Sequence, residues 1–212
     1  MDIQADTAPI VTDTAPTGRK VSQVLDGART VFLRDGFEGA SVDDIARQAG
    51  VSKATLYNYF PDKRILFMEV AKAECVRQES ATDEMIALSA SPEKALRATA
   101  ERMMRIFLSP FGKNVFRICV AEGDRFPGLG KEFWDSGPAR MRGKMIAYFR
   151  QAIERGELAI EDCDLAADQF TELCKADLFP KMVFGIQDSF SDEEIARVAD
   201  GAVATFMARY GT

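Results

Sequence analysis

The stretch Ser41 to Phe60 reads SVDDIARQAGVSKATLYNYF and gathers the side chains best suited to recognition chemistry. Ser52 can cap a short helix through Phe60, on which Leu56 and Phe60 point inward and leave Lys53, Ala54, Thr55, Tyr57 and Asn58 outside. Lys53 suits a guanine or a phosphate. The methyls of Ala54 and Thr55 suit a thymine methyl, and Asn58 suits an adenine. Tyr57 and Tyr59 offer phenolic donors to phosphate, and Lys63 lies just beyond as a further contact. Ser41 opens a second short helix whose amide end can receive a phosphate, although capping alone would account for it. Simple solvent exposure would account for any one of these residues, so the reading depends on a scaffold that presents them together.

That scaffold is legible in the surrounding residues. Val21, Val24, Leu25, Ala28, Val31 and Phe32 form one face of a first helix that stops at Asp35-Gly36, where glycine can take the left-handed cap. Ser41-Val42-Asp43-Asp44 resembles a capping box with Asp44 in place of the usual Glu or Gln, and starts a helix ending near Ala49. Gly50 makes the turn. Ile45, Val51 and Leu56 lock the two short helices against the first, with Ala46 small where they cross. The pattern predicts a helix-turn-helix whose second helix enters the major groove; a bland helical hairpin is the alternative. A longer helix from Lys63 follows, apolar nearly all round at Ile65-Leu66-Phe67-Met68, which suits a helix covered on several sides and joining two domains.

Composition narrows the chemistry. The chain has no histidine, which removes the usual general base and the usual zinc partner of cysteine. Cys75, Cys119, Cys163 and Cys174 form no CxxC pair and read as reduced thiols of a cytoplasmic protein. No metal-ligand spacing, Gly-rich phosphate loop or nucleophile motif is present, so neither cofactor nor metal is expected and no enzyme; an enzyme using Glu122 or Asp124 as base is the competing class. The net charge of −6 is unevenly spread. Over 18–65, Arg19, Lys20, Arg29, Arg34, Arg47, Lys53, Lys63 and Arg64 outnumber Asp26, Asp35, Glu38, Asp43, Asp44 and Asp62, so a mildly basic module is joined to an acidic body. No apolar run approaches the roughly 18 residues that span a bilayer, so no membrane partner is expected.

Helical periodicity continues to the C-terminus, which predicts an all-α protein in three parts: a disordered acidic tail over 1–17, the DNA-binding module over 18–65 and a larger helical body over 66–212. Helix starts stand at Ser91-Pro92-Glu93 and at the capping box Ser191-Asp192-Glu193-Glu194, with further helices over Asn114–Glu122, Pro138–Arg155 and Asp164–Phe179.

Gly36-Phe37, Ser41 to Ala46, Ala49 to Phe60 and Asp62-Lys63 together resemble the TetR family of repressors, strongly over Arg19 to Phe67. The resemblance implies an all-helical homodimer with an N-terminal helix-turn-helix and a C-terminal domain for ligand binding and dimerisation. The matched DNA-touching positions are Ser41, Ser52, Lys53, Thr55, Tyr57, Tyr59 and Lys63. Ala54 stands where Gly is frequent and Asn58 where His is frequent, departures that bear on operator choice rather than fold. More loosely, the body is similar to the AefR-like branch through Ala121 to Pro127, Phe133, Gly137-Pro138 and Arg155 to Leu158.

A regulator of this kind needs an effector that favours one arrangement of the two DNA modules. Met103, Phe107, Phe111, Phe116, Cys119, Trp134, Phe149, Phe170 and Cys174 are candidate contacts for an apolar or aromatic ligand, although the same residues at helical spacing make an ordinary core. Glu122 and Arg125 can orient a polar group or pair with each other at the surface. On the last helix, Val198, Ala199, Ala202, Val203 and Phe206 are candidates for a dimer interface, with an intramolecular core as the competing reading. A thiol redox switch and a purely architectural DNA binder complete the alternatives.

Overall fold

The first helix, α1 (Arg19–Gly39), turns Val21, Val24, Ala28, Val31 and Phe32 to one side, and all five are buried. The computed structural model describes residues 18–87 and 91–212, so the tail expected over 1–17 lies outside the described residues. Helical dihedrals fail within α1 at Gly36, whose φ of 71° is left-handed and favours glycine. The expected stop is there, followed by one more turn of chain.

Next come α2 (Val42–Ala49) and α3 (Lys53–Tyr59), capped by Ser41 and Ser52, whose hydroxyls accept from the amides of Asp44 and Thr55. The expected capping box at Ser41 is half formed. The short Asp44 carboxylate accepts a hydrogen bond from the Ser41 hydroxyl at 2.7 Å, whereas in a full box it would accept from the cap's backbone N–H. Between the helices Gly50 sits at φ 65°, and the Val51 amide reaches back to the Ala46 carbonyl, closing the turn.

The long α4 (Lys63–Ala87) enters both halves of the molecule. Leu66, Phe67, Met68, Val70 and Ala71 are at most 1% exposed, because α1 covers one side and helices of the body cover the other. The body comprises α5 (Pro92–Phe107), α6 (Pro110–Ala121), α7 (Pro127–Ser136), α8 (Pro138–Glu154), α9 (Cys163–Leu173), α10 (Leu178–Val183) and α11 (Asp192–Tyr210). Proline stands in the first turn of α5, α6, α7 and α8, where its missing N–H costs nothing. Among the described residues the architecture is all-α, relieved only by a bridge between Leu158 and Gly211.

The single helix expected over 164–179 is two helices. Asp177 adopts φ 64°, unusual for a residue with a side chain, and is held there by Lys181 and Arg197. The helix α7 has no counterpart in the sequence reading.

Two apolar cores result. One joins α5, α8, α9, α10 and α11 around Phe149, Phe170 and Phe206. The other fills the space between α1, α2, α3 and α4, and Val115, Ile118 and Leu129 of α6 and α7 belong to it. The N-terminal module therefore shares its core with part of the body. Phe32, Phe67 and Phe111 carry ring contacts from α1 through α4 to α6, at centroid distances of 4.9 and 4.8 Å.

Candidate nucleic-acid interface

The α3 helix is fastened by one face. Leu56 and, just past its end, Phe60 are 1% and 2% exposed in the module's core, which leaves Lys53, Ala54, Tyr57 and Asn58 in solvent. Thr55 is half-buried, and its hydroxyl lies 2.8 Å from that of Ser52, so both also serve the cap. Tyr59 is half-buried and packs on the module's core. Ser41 is exposed at the start of α2.

Two of the cations named from the sequence are engaged. The Lys53 ammonium donates to Asp43 Oδ2 at 3.1 Å, across the turn from the first turn of α2, and this contact raises its pKa. Lys63 donates to the carbonyls of Phe37 and Ala40 at 2.7 and 3.1 Å and lies 4.4 Å from the Phe37 ring centre. Its charge thus answers the carbonyl end of α1, a placement the helix dipole favours. This second role was not legible locally, because the carbonyls belong to backbone 23 to 26 residues away.

The crossing of α1 and α2 depends on a residue the sequence reading passed over. A Cβ on Gly27 would fall 2.7 to 2.8 Å from the backbone N and Cα of Ala49, so only glycine fits there. A network of Arg29, Glu74, Arg77 and Asp26 then ties α1 to α4. Burial pushes the Glu74 carboxyl up, but Arg29 and Arg77 outweigh it and hold the group below its ordinary range.

Glu122, expected to pair with Arg125, pairs with Arg64 of α4 at 2.6 Å. Arg64 also holds Asp62 through two nitrogens, and that contact keeps the Asp62 carboxyl low. Arg125 lies over the Phe126 ring instead.

The nine candidate ligand contacts do not surround one space. Met103, Phe149, Phe170 and Cys174 are buried in the body's core, with Phe107 packed against it. Phe111 and Cys119 pack on the other core, while Phe116 and Trp134 are exposed. A groove of about 330 Å³ between α5 and α11 is lined by Glu93, Arg97, Asp200, Val203, Ala204 and Met207 among others, and none of the nine candidate ligand contacts reaches it.

The dimer-interface candidates need correction. Val198, Ala199, Ala202, Val203 and Phe206 are at most 8% exposed and lie on the face of α11 that packs against α5 and α9 of the same chain. The competing reading, an intramolecular core, describes them. No disulfide joins the cysteines among the described residues, and burial pushes Cys119 up and Cys174 up to about 12, which disfavours the reactive thiolate. Among the described residues no three metal-ligating side chains converge and no helix is long and apolar enough to cross a membrane.

Comparison with known proteins follows this geometry closely. The model of bacterial regulatory proteins of the tetR family matches residues 24–70, and the model of the AefR-like transcriptional repressor C-terminal domain matches residues 94–212. The HTH-type transcriptional repressor AcnR of Corynebacterium diphtheriae is 31% identical over 107 residues, which are 46% of this chain and 56% of that relative's length. The fold superposes on a solved TetR-family regulator from Mesorhizobium loti with a TM-score of 0.78 at 28% identity, over 92% of this chain and 98% of the other. The flavonoid-responsive regulator FrrA gives a TM-score of 0.65 at 32% identity, over 92% and 98% of the two chains.

Proposed function

The chain belongs to the TetR family of bacterial regulatory proteins, and from that premise we propose that it is a homodimeric repressor of a palindromic operator, released by a small apolar or aromatic ligand. The observation that carries the reading is the division of α3 into a buried side, Leu56 and Phe60, and an exposed side, Lys53, Ala54, Tyr57 and Asn58. A short helix anchored in this way projects its N-terminal residues at base edges. In this reading Lys53, Ala54, Thr55 and Asn58 meet bases. Ser41, Ser52, Tyr57, Tyr59 and Lys63 meet the backbone and fix the register, Lys63 by turning from the carbonyls it holds.

Pairing falls to the outward faces of α9 and α11, since the inward face of α11 is used within its own chain. Leu165 is 51% exposed on α9, and Gly201, Ala204, Thr205 and Ala208 are exposed along α11 at spacings that let a second helix approach closely. Two-fold pairing dictates half-sites about 34–36 Å apart along the duplex. FrrA, named for its response to flavonoids, supports an aromatic effector for this chain. The reading assigns no catalytic step and no cofactor, and it places the protein in the cytoplasm beside its DNA.

Sedimentation of the purified chain, alone and with duplexes selected from a random pool, tests the reading. Two protein chains per duplex, dissociated by a flavonoid panel, is the expected result. A monomer at micromolar concentration with no duplex preference would overturn it.

A further inference from the structure

Lys53 is the only charged residue of α3, and it is not presented alone. Its ammonium lies 2.9 and 3.1 Å from the two carboxylate oxygens of Asp43, on a neighbouring helix ten residues earlier, with both side chains at least half exposed. Among the described residues Asp43 has this one partner, whereas its neighbour Asp44 is occupied by Arg47 and by the Ser41 hydroxyl. The leading edge of the reading helix therefore carries an adjacent cation and anion, on the exposed side that includes Ala54, Tyr57 and Asn58.

Such a couple answers two features of duplex DNA differently. Toward phosphate it is close to neutral, and once the lysine leaves for a phosphate the carboxylate faces the backbone unpaired, a penalty that every sequence imposes alike. Toward base edges it matches one pair best. In the major groove a G·C pair presents the guanine N7 and O6 acceptors side by side, next to the cytosine N4 donor, so the ammonium meets two adjacent acceptors and the carboxylate a donor; an A·T pair sets its acceptors, adenine N7 and thymine O4, on either side of the N6 donor and offers the ammonium only one of them at a time.

We propose that Asp43 and Lys53 act as one recognition unit for a G·C base pair in each half-site, with Asp43 as a specificity-determining residue that also suppresses binding to random DNA. The inference rests on α3 being the reading helix. Asp43 is distinguished from a plain N-terminal helix acid by its partner: an acid there solely for the helix dipole needs no cation from α3.

Selection from a random duplex pool, with the full-length chain and its Asp43→Ala and Lys53→Ala variants, tests the unit, and circular dichroism confirms that the exposed substitutions leave the fold intact. The wild type is expected to enrich one G·C position per half-site that both variants lose to within about twofold. With Lys53 released, Asp43→Ala is also expected to bind random duplex several-fold more tightly, with a salt dependence steeper by about one phosphate contact. An Asp43→Ala variant that keeps the wild-type preference at every position and the same salt slope overturns the proposal. A wild type that enriches no sequence at all would instead show that α3 does not read bases, and the inference would fall with that reading.

Discussion

The Arg64 guanidinium donates to Glu122 Oε1 at 2.6 Å across 58 residues, while its other nitrogens hold Asp62. Arg64 lies in the first turn of α4, directly after α3, and Glu122 caps the C-terminal end of α6. The side chains are 26% and 17% exposed, so the bridge is partly screened from water. It fixes the DNA-reading module against the body at a point where the two also share an apolar core. Glu122→Gln and Arg64→Met are each expected to lower the thermal midpoint and to change DNA affinity. The double variant should cost less than the sum of the two, because each single change already breaks the same bridge. Additive effects in that cycle would show that the bridge contributes nothing.

Gly27→Ala sets two effects against each other. Alanine favours a helix over glycine by up to about 1 kcal/mol. Its Cβ would meet the Ala49 backbone at 2.7 to 2.8 Å, and backbone at that distance cannot give way as a side-chain tip can. Forced separation of packed elements costs about 1–3 kcal/mol, so the clash wins and a net loss of about 1–2 kcal/mol is expected in urea denaturation. A stabilised variant would mean that α1 and α2 do not cross so closely.

Substitutions on α3 and α4 should separate by role. Asn58→Ala is expected to change base preference at one position by about 1–3 kcal/mol with little loss of stability. Tyr57→Ala should weaken binding to all duplexes alike. Lys63→Ala should weaken binding too but also lower the unfolding midpoint, since the carbonyls of Phe37 and Ala40 lose their donor. Midpoints measured beside affinities decide this, and an unchanged Lys63→Ala midpoint would speak against its tie to α1.

Lacking histidine, the chain has no side chain whose ordinary pKa falls between pH 6 and 8, so stability and DNA affinity should be nearly flat there. Outside that window the directions differ. Asp62, Glu74 and Asp177 are held low by their cations, so the stability they contribute is present above the ordinary carboxylate range and is lost as pH falls through their folded values. Cys174 is pushed up to about 12 by burial, so the folded chain keeps a proton that the unfolded chain releases near pH 9. Stability should therefore fall as pH rises from about 9 toward 12, and Cys174→Ser should flatten that decline. Denaturant titrations from pH 3 to 11 check both arms.

The DNA-reading module was legible because its determinants are local. Caps at Ser41 and Ser52, a left-handed Gly50 and apolar positions within a few turns each act over a few residues. The body was less so, since an apolar residue at helical spacing looks the same whether it meets its own core, a ligand or a second chain. Phe149 and Phe206 stack on each other at 5.2 Å, and nothing in their spacing distinguished that outcome from a pocket or an interface. The break at Asp177 depends on cations four and twenty residues away, and α7 begins Pro-Gly-Leu-Gly, residues that read as a loop. Asp43 and Glu122 were visible as acids, but their partners lie across the fold.

The most direct test of the account is the ratio of affinities for a selected duplex and a scrambled one, measured with the full chain by fluorescence anisotropy at a stated salt near 0.15 M. A reading helix on a paired regulator predicts a ratio of about 10³ or more. A ratio within a few-fold of one would contradict it, since phosphate attraction alone would then explain all of the binding.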